Sequence, residues 1–277
     1  MGLGDKATMS AHRILDEFSP KAYKKAIHDS WNSLFLLFGG TPHYEILETQ
    51  HLTTLACNTK ISMFNRVMRT RLSPDNADEK IQETIDYFSS KELPFRWQID
   101  PGDTPSDLPQ RLENHSFSLK GGPGMALVID ELRVPKNPDG FRFEKVTTQE
   151  MNETFCRLLP EAYGMPEFAR DDMAQMAMSI GIRDDYCNYL GFLDDKPVAT
   201  SSVFYSDGVA GIYNVANLPE GRGIGSIMSA VPLFDARDLG YKVSILHSTT
   251  MGYNMYKRLG FDEYCRHDSY EWTPQSR

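Results

Sequence analysis

The second half of the chain alternates between strand-like and helix-like patterns of hydrophobic positions. A strand run, FRFEKVT from Phe141, leads to Thr148, and the apolar residues behind Thr148 recur at helical spacing, as they do again between Pro166 and Gly181. Then come three strand runs (YCNYLGFLD, PVATSSVFYS and GIYNVAN), a glycine-rich turn, a third helical run, the strand VSILHS, the short helix GYNMYKRLG and the strand FDEYCRHDSYEW. This order predicts a mixed α/β fold around a central sheet.

The first half carries a faint copy of this pattern. Its segment from ADEKIQETIDYF onwards predicts helix, strand, turn, helix and strand, and DLPQRLENHSF lies over NMYKRLGF of the second half with a short insertion. The copy lacks the glycine-rich turn, because SPDNADEK precedes its first helix. The segment RVPKNPDG, with two prolines and a glycine, predicts a linker. We therefore expect a degenerate N-terminal domain at 1–132, a linker at 133–140 and a C-terminal domain at 141–277.

Composition and charge narrow the classes of partner. The formal net charge of -9 argues against nucleic acid as the main partner, because binding phosphates needs clustered Lys and Arg. The most apolar run, WNSLFLLFGG, is too short to span a membrane, so no membrane partner is expected. The four cysteines are scattered without a CxxC or Cys/His cluster, which predicts reduced thiols in a cytoplasmic protein and no metal site. Whether the chain forms a homodimer stays open.

The stretch VANLPEGRGIGS contains the main candidate for chemistry. Gly221, Gly223 and Gly225 permit positive φ angles and a close approach of the backbone to a ligand, just before the unpaired N–H groups of a helix start. Such a helix start favours a phosphate or pyrophosphate, and Arg222 adds a positive charge. Neither the GxGxxG spacing nor the Lys-Ser/Thr of a P-loop is present. A glycine-rich turn that only ends a strand is the structural alternative.

Together with MGYNMYKRLGF downstream, this stretch resembles the GNAT superfamily of acyl-CoA N-acyltransferases over residues 141–272. The resemblance implies a tandem GNAT-like α/β fold, with a central mixed sheet flanked by helices in each half. It also implies transfer of an acetyl group from acetyl-CoA, without a metal, to a primary amine of a small molecule or peptide, by direct attack in a ternary complex.

The resemblance assigns roles to individual residues. Tyr256 is the expected general acid that protonates the leaving thiolate, which suits a phenol with a pKa near 10; packing in the core is its structural alternative. The residues expected along acetyl-CoA are Val215, Ala216, Asn217, Gly221, Arg222, Gly223, Ile224, Gly225, Ser226, Thr249 and Tyr253. Two positions depart from the family pattern: Glu220 stands where Gln or Arg is usual, and Thr249 where an Asn often binds the pantetheine.

Neither the general base nor the acceptor site follows from the motifs. Candidates for the base are His247, Asp207, Tyr270 and Glu271. An apolar acceptor pocket at Tyr163, Met165, Phe168 and Met173 competes with simple core packing. Two other functions stay open: transfer of a longer acyl chain, and a CoA-binding regulatory protein without catalysis, which Glu220 and Thr249 favour.

Overall fold

The computed structural model describes residues 13–218 and 222–274. The helices are α1 (Pro20–Gly39), α2 (Ala77–Ser90), α3 (Leu108–Asn114), α4 (Gln149–Ala162), α5 (Glu167–Ile180), α6 (Ile224–Asp238) and α7 (Tyr253–Leu259). The strands are β1 (Tyr44–Glu48), β2 (Thr53–Cys57), β3 (Arg66–Met68), β4 (Phe95–Gln98), β5 (Ser118–Val128), β6 (Phe141–Lys145), β7 (Tyr186–Leu193), β8 (Lys196–Ser206), β9 (Val209–Asn217), β10 (Val243–His247) and β11 (Asp262–Trp272). No helix among the described residues is long and apolar enough to cross a membrane.

Local signals in the sequence set the element boundaries of the second half. The Thr148 hydroxyl accepts a hydrogen bond from the Met151 N–H at 3.2 Å and caps α4. Gly181 ends α5 with φ +70, and Gly260 ends α7 with φ +108, conformations that favour glycine. The order β6-α4-α5-β7-β8-β9-α6-β10-α7-β11 confirms the order predicted from the hydrophobic pattern.

All strands lie in one 11-stranded sheet, in the order β1-β2-β3-β4-β11-β5-β10-β9-β8-β7-β6. The two halves exchange their last strands within it: β5 of the first half pairs with β10 and β11, and β11 of the second half also pairs with β4. The series α2-β4-α3-β5 repeats the series α6-β10-α7-β11. Strand pairing across the halves builds one continuous sheet, which gives no gap that would mark a domain boundary. The linker expected at 133–140 therefore stays a prediction.

The helices cover the two faces of the sheet with separate apolar cores. On one face, α6 and α7 pack on β8, β9 and β10 through residues such as Ile227 and Met228. On the other face, α1 packs on β9 and β10, and α4 and α5 pack on β7. The WNSLFLLF run lies in α1, and Trp97 is fully buried in a further core, formed mainly by the first half. Adjacent residues Ile245 and Leu246 of β10 therefore face opposite cores.

Candidate functional site

Strands β9 and β10 separate within the sheet. They pair in parallel only where Ala210, Gly211 and Ile212 lie beside Ser244, Ile245 and Leu246. Beyond this point β10 continues for one residue, His247. Strand β9 continues to Asn217, and its residues 213–216 have no ladder partner on the β10 side among the described residues. The sheet thus opens into a strand split at 213–216, where an extended ligand can pair with the backbone of β9.

A β-bulge interrupts β9 beside the strand split. Asn214 and Val215 together oppose one residue of β8, and Asn214 has φ +54. The Thr200 hydroxyl donates to the Asn214 carbonyl at 2.8 Å, and the Asn214 side-chain amide donates to the Tyr186 hydroxyl at 2.7 Å. These side-chain bonds hold the bulge in one conformation. Of the residues expected along acetyl-CoA, Val215, Ala216 and Asn217 lie on this segment.

The glycine-rich turn leads directly into α6. Gly223 is the N-cap residue with φ +77, and its carbonyl accepts the N–H groups of Ser226 and Ile227 at 3.1 and 3.3 Å. A Cβ added to Gly225 would lie 3.1 Å from the Asn217 Oδ1 and 3.3 Å from a methionine sulfur, so a side chain there would crowd the end of β9. The predicted residues Ile224, Gly225 and Ser226 form the first turn of the helix. The N–H groups of Ile224 and Gly225 are therefore left without an intrahelical acceptor at the positive end of the helix dipole, whereas the Ser226 N–H is already paired with Gly223.

Some of the predicted pyrophosphate contacts lie beyond the described part of the turn. Gly221 and the poorly fitting Glu220 fall outside the described residues. Arg222 is exposed and, together with Lys136 of the 133–140 segment, lines a cavity of about 470 Å³. Asp139 lines the same cavity and pairs with Lys136 at 3.9 Å, so Arg222 is the basic side chain of this lining that has no acidic partner among the described residues.

Tyr256 lies under α6, close to the glycine-rich turn. Its side chain is 9% exposed, and burial raises the pKa of the phenol to about 12, although the Ser229 hydroxyl acts to lower it. Ser229 in turn donates to the Gly225 carbonyl at 2.7 Å, which links the tyrosine to the first turn of the helix. A Cβ added to Gly252 would lie 3.0 Å from the Tyr256 ring. The phenol is thus a protonated donor at neutral pH. No sequence signal pointed to Ser229 or Gly252.

Thr249 and Tyr253 build the turn that starts α7. The Thr249 hydroxyl accepts the N–H of Gly252 at 3.1 Å, and its carbonyl accepts the N–H of Tyr253 at 3.1 Å. Thr249 is exposed, and Tyr253 is half-buried against the α6 core. Their expected contact with pantetheine stays a prediction.

Among the four candidate bases, His247 alone lies at the strand split. Its strand partner is Gly124 on β5, whereas Glu271 pairs with Ser118, six residues and about 20 Å further along the same strand. Tyr270 is buried in the core of the first half, and Asp207 lies in the turn before β9, at the opposite end of that strand from the split.

The predicted acceptor residues do not form one pocket. Met173 is buried in the α4–α5 core, whereas Phe168 is 71% exposed and Met165 is only partly buried. Tyr163 is 46% exposed, but burial raises the pKa of its phenol, and the phenols of Tyr256 and Tyr186 raise it further. Tyr163 therefore lies near Tyr256.

A second group of polar side chains meets on the α1 face of the split. We call Trp31, Arg66, His247 and His267 the α1 cluster. The ring centroid of His247 lies 4.3 Å from that of Trp31 and 4.6 Å from that of His267, and the Arg66 guanidinium lies 5.5 Å from the Trp31 ring. Burial, followed by the charges of His28 and Arg66, lowers the pKa of His247 to about 3, and burial together with the neighbouring cations lowers that of His267. Both imidazoles are neutral at physiological pH.

His28 and Asp100 form an ion pair beside the α1 cluster. The His28 Nδ1 lies 3.1 Å from the Asp100 Oδ1, and Asn32 and Gln98 donate to the same carboxylate. Burial lowers the pKa of His28, but interactions led by the hydrogen bond to Asp100 outweigh burial and raise the pKa to about 9. This histidine is therefore charged at neutral pH.

Possible ligand atoms of His28, Asp100 and His267 lie within 4.8 Å of one another, a combination that could hold a metal ion. The positive charges of His28 and Arg66 already act on this region and oppose a divalent cation. His28 and Asp100 also line an open cavity of about 640 Å³. Its basic lining residues are Lys21, Lys24, Lys25, Arg69 and Arg71, and its acidic ones are Asp29, Asp100, Asp103 and Asp207.

Comparison with known proteins identifies the fold. No protein-family model matches the sequence, and no curated protein matches it. Among solved structures, a GCN5-related N-acetyltransferase from Kribbella flavida is similar with a TM-score of 0.67 and 18% identity, covering 91% of this chain and 96% of that one. A tandem GNAT protein from the clavulanic acid biosynthesis pathway has a TM-score of 0.55 and 11% identity, covering 93% and 95%.

A GCN5-related N-acetyltransferase from Sphaerobacter thermophilus gives a TM-score of 0.55 and 16% identity, covering 94% of each chain. All three similarities extend over both halves of the sheet. At 11–18% sequence identity they show a shared fold and nothing about the reaction. The chain therefore has the GNAT fold, with two GNAT-like halves in one mixed sheet.

Proposed function

We propose that this protein is an acetyl-CoA-dependent N-acetyltransferase that acts on a primary amine by direct attack in a ternary complex. The observation that carries the proposal is the convergence of three features: the strand split after Ile212, the left-handed Gly223 at the start of α6, and the buried phenol of Tyr256 beside that helix. The similarity of the fold to N-acetyltransferases supports it.

The residues around the split fit acetyl-CoA. The edge of β9 at 213–216, which has no ladder partner among the described residues on its β10 side, offers backbone groups to the amide-containing arm of the cofactor. The N–H groups of Ile224 and Gly225 at the start of α6 suit its pyrophosphate, and the lack of a Cβ at Gly225 lets the helix start close to the end of β9. Arg222 and Lys136 add positive charge on the outer side of the turn. When bound there, acetyl-CoA supplies an activated thioester.

The chain's own residues then direct the transfer. Backbone N–H groups at the split polarise the carbonyl that the amine attacks. The Tyr256 hydroxyl donates its proton to the departing sulfur, and Ser229 orients the phenol. Holding the amine and the thioester side by side replaces a bimolecular encounter, which can lower the barrier by about 7 kcal/mol or more.

A thiol-release assay with an amine panel tests the proposal. We expect Tyr256→Phe to lower kcat by about 10²- to 10⁴-fold, because the proton donor is lost, while the Kd for CoA stays unchanged. Tyr270→Phe is the matched control, since this buried tyrosine lies in the core of the first half. CoA binding without turnover of any amine would refute catalysis and favour the regulatory function. Equal loss of activity in both variants would remove Tyr256 from the mechanism.

A further inference from the structure

We propose that the α1 cluster binds a carboxylate, so that the acceptor of the proposed reaction is an amine that also carries a carboxylate group, as amino acids do. This inference rests on the proposed function for the amine, and on the α1 cluster alone for the carboxylate.

The charge of Arg66 lacks a counterion. Its side chain is 1% exposed, and its guanidinium lies 4.1 Å from the Phe35 ring centroid. The two hydrogen bonds that it donates reach neutral oxygens, the Met63 carbonyl at 3.3 Å and the Gln98 Oε1 at 3.1 Å. It forms no ion pair within the described ranges 13–218 and 222–274. A buried, unpaired cation is costly, which indicates that the site is built for an anion.

The nearest carboxylate is already neutralised. Asp100 pairs with His28 at 3.1 Å, and the pKa of His28 is raised to about 9 despite its burial, so the two charges cancel at neutral pH. Gln98 separates this pair from Arg66: it donates to Asp100 and accepts from Arg66. One positive charge therefore remains in the α1 cluster.

The cluster also holds buried polar atoms with no hydrogen-bond partner among the described residues. These atoms are the indole N–H of Trp31, the Nε–H of Arg66 and both ring nitrogens of His247 and of His267. A neutral imidazole carries one N–H, so the four side chains together offer four unused donors. Buried donors of this kind are rare in folded proteins, and a carboxylate with two oxygens can accept from several of them at once.

The position of the cluster connects the carboxylate to the reaction. His247 is the first residue beyond the last β9–β10 pair, and its ring stacks on Tyr213 of β9 with centroids 6.5 Å apart. An anion held by Arg66 and His267 thus lies next to the opening where the amine must meet the thioester. The 640 Å³ cavity, which shares the His28 side chain with this region, is lined by five basic residues and four aspartates, so a small excess of positive charge faces solvent there.

The single unpaired charge favours a carboxylate over a phosphate. A phosphate monoester carries a charge close to −2 at neutral pH, and burying the excess negative charge beside one cation is unfavourable.

The test compares acceptors that differ only in the carboxylate. With the unaltered protein, kcat/KM would be measured for the standard amino acids, their carboxamides, the amines without the carboxylate, and phosphoethanolamine. A charge-assisted hydrogen bond predicts a preference of about ten-fold or more for an amino acid over its carboxamide. Equal or better use of the carboxamides or plain amines, or a preference for phosphoethanolamine, would overturn the inference.

Two variants connect the preference to the cluster. Trp31→Phe removes the indole N–H and keeps an aromatic ring, and Arg66→Gln removes the charge. Each should raise KM for the amino acid by about ten-fold and leave the carboxamide unchanged. Trp272→Phe is the control, because this half-buried indole lies in the core of the first half. An unchanged preference in folded Trp31→Phe contradicts the assignment, even if Arg66→Gln does not fold.

Binding separates failure of this inference from failure of the proposed function. If CoA binds but no amine is acetylated, calorimetric titration of the CoA-bound protein with N-acetyl amino acids and their carboxamides still probes the α1 cluster. Binding of the carboxylates that Trp31→Phe weakens supports the inference without catalysis. Binding of neither compound overturns it.

Discussion

Replacing His28 should remove a pH-dependent part of the stability of this protein. His28 is 5% exposed and holds its proton through the 3.1 Å contact with Asp100. Its pKa rises from 6.5 to about 9 on folding, because interactions led by the hydrogen bond to Asp100 outweigh the effect of burial. His28→Gln keeps a polar side chain at this position and cannot bind the proton.

The sign and the size follow from the shift. Below pH 6.5 the imidazole is protonated in both the folded and the unfolded chain, so the stabilisation is complete; between pH 6.5 and about 9 only the folded chain keeps the proton, and stability falls as the pH rises. At about 1.4 kcal/mol per pKa unit, the shift corresponds to a loss of about 3 kcal/mol across this window. Asp100, whose pKa is lowered, is ionised throughout the window.

Urea unfolding at several pH values between about 6 and 9 measures the effect. The free-energy difference between the original protein and His28→Gln should shrink by about 3 kcal/mol from the acidic to the alkaline end. His115→Gln serves as the control, because this histidine also contacts an aspartate, Asp78 at 3.1 Å, but at the surface, where water screens the pair. A difference that stays constant with pH would refute the reasoning about the buried pair.

Three further predictions follow from the cofactor turn and the core. Gly223→Ala should weaken CoA binding in titrations and lower the free energy of unfolding by about 1–2 kcal/mol, because φ +77 strains a residue with a Cβ. Gly164→Ala is the control: this glycine has φ +66 and open space around it, so the variant carries similar strain and should leave CoA binding intact. Arg222→Gln and Lys136→Gln should each raise the Kd for CoA by up to about five-fold and make this Kd depend less on salt concentration. An unchanged salt dependence would exclude a contact between the replaced residue and a phosphate of CoA. Trp97→Phe should lower the free energy of unfolding by about 2 kcal/mol or more, because the variant loses core volume and the 2.9 Å hydrogen bond from the indole to a threonine hydroxyl. Denaturant unfolding measures this change, and a loss of less than about 0.5 kcal/mol would contradict the packing argument.

The order of elements and the place of the glycine turn could be predicted because they depend on neighbouring residues. A capping hydroxyl at Thr148, a left-handed glycine at Gly181 and two aspartates with positive φ between β7 and β8 each act within a few residues. The two motifs that carry the resemblance to acyl-CoA N-acyltransferases could also be predicted, because each is a short segment whose backbone conformation depends on its own residues. The faint repeat was also visible, because it preserves element order.

Tertiary structure alone decided how the halves join and what surrounds the split. Strand pairing between β5 and β10 and between β11 and β4 depends on hydrogen bonds across most of the chain, and the period-2 pattern of a strand does not name its neighbour. The α1 cluster unites residues of α1, β3, β10 and β11, each of which looks in isolation like an ordinary core or surface residue. Sequence spacing reports the face on which a side chain lies. The charge and the unused donors that it meets there depend on the packing of distant elements.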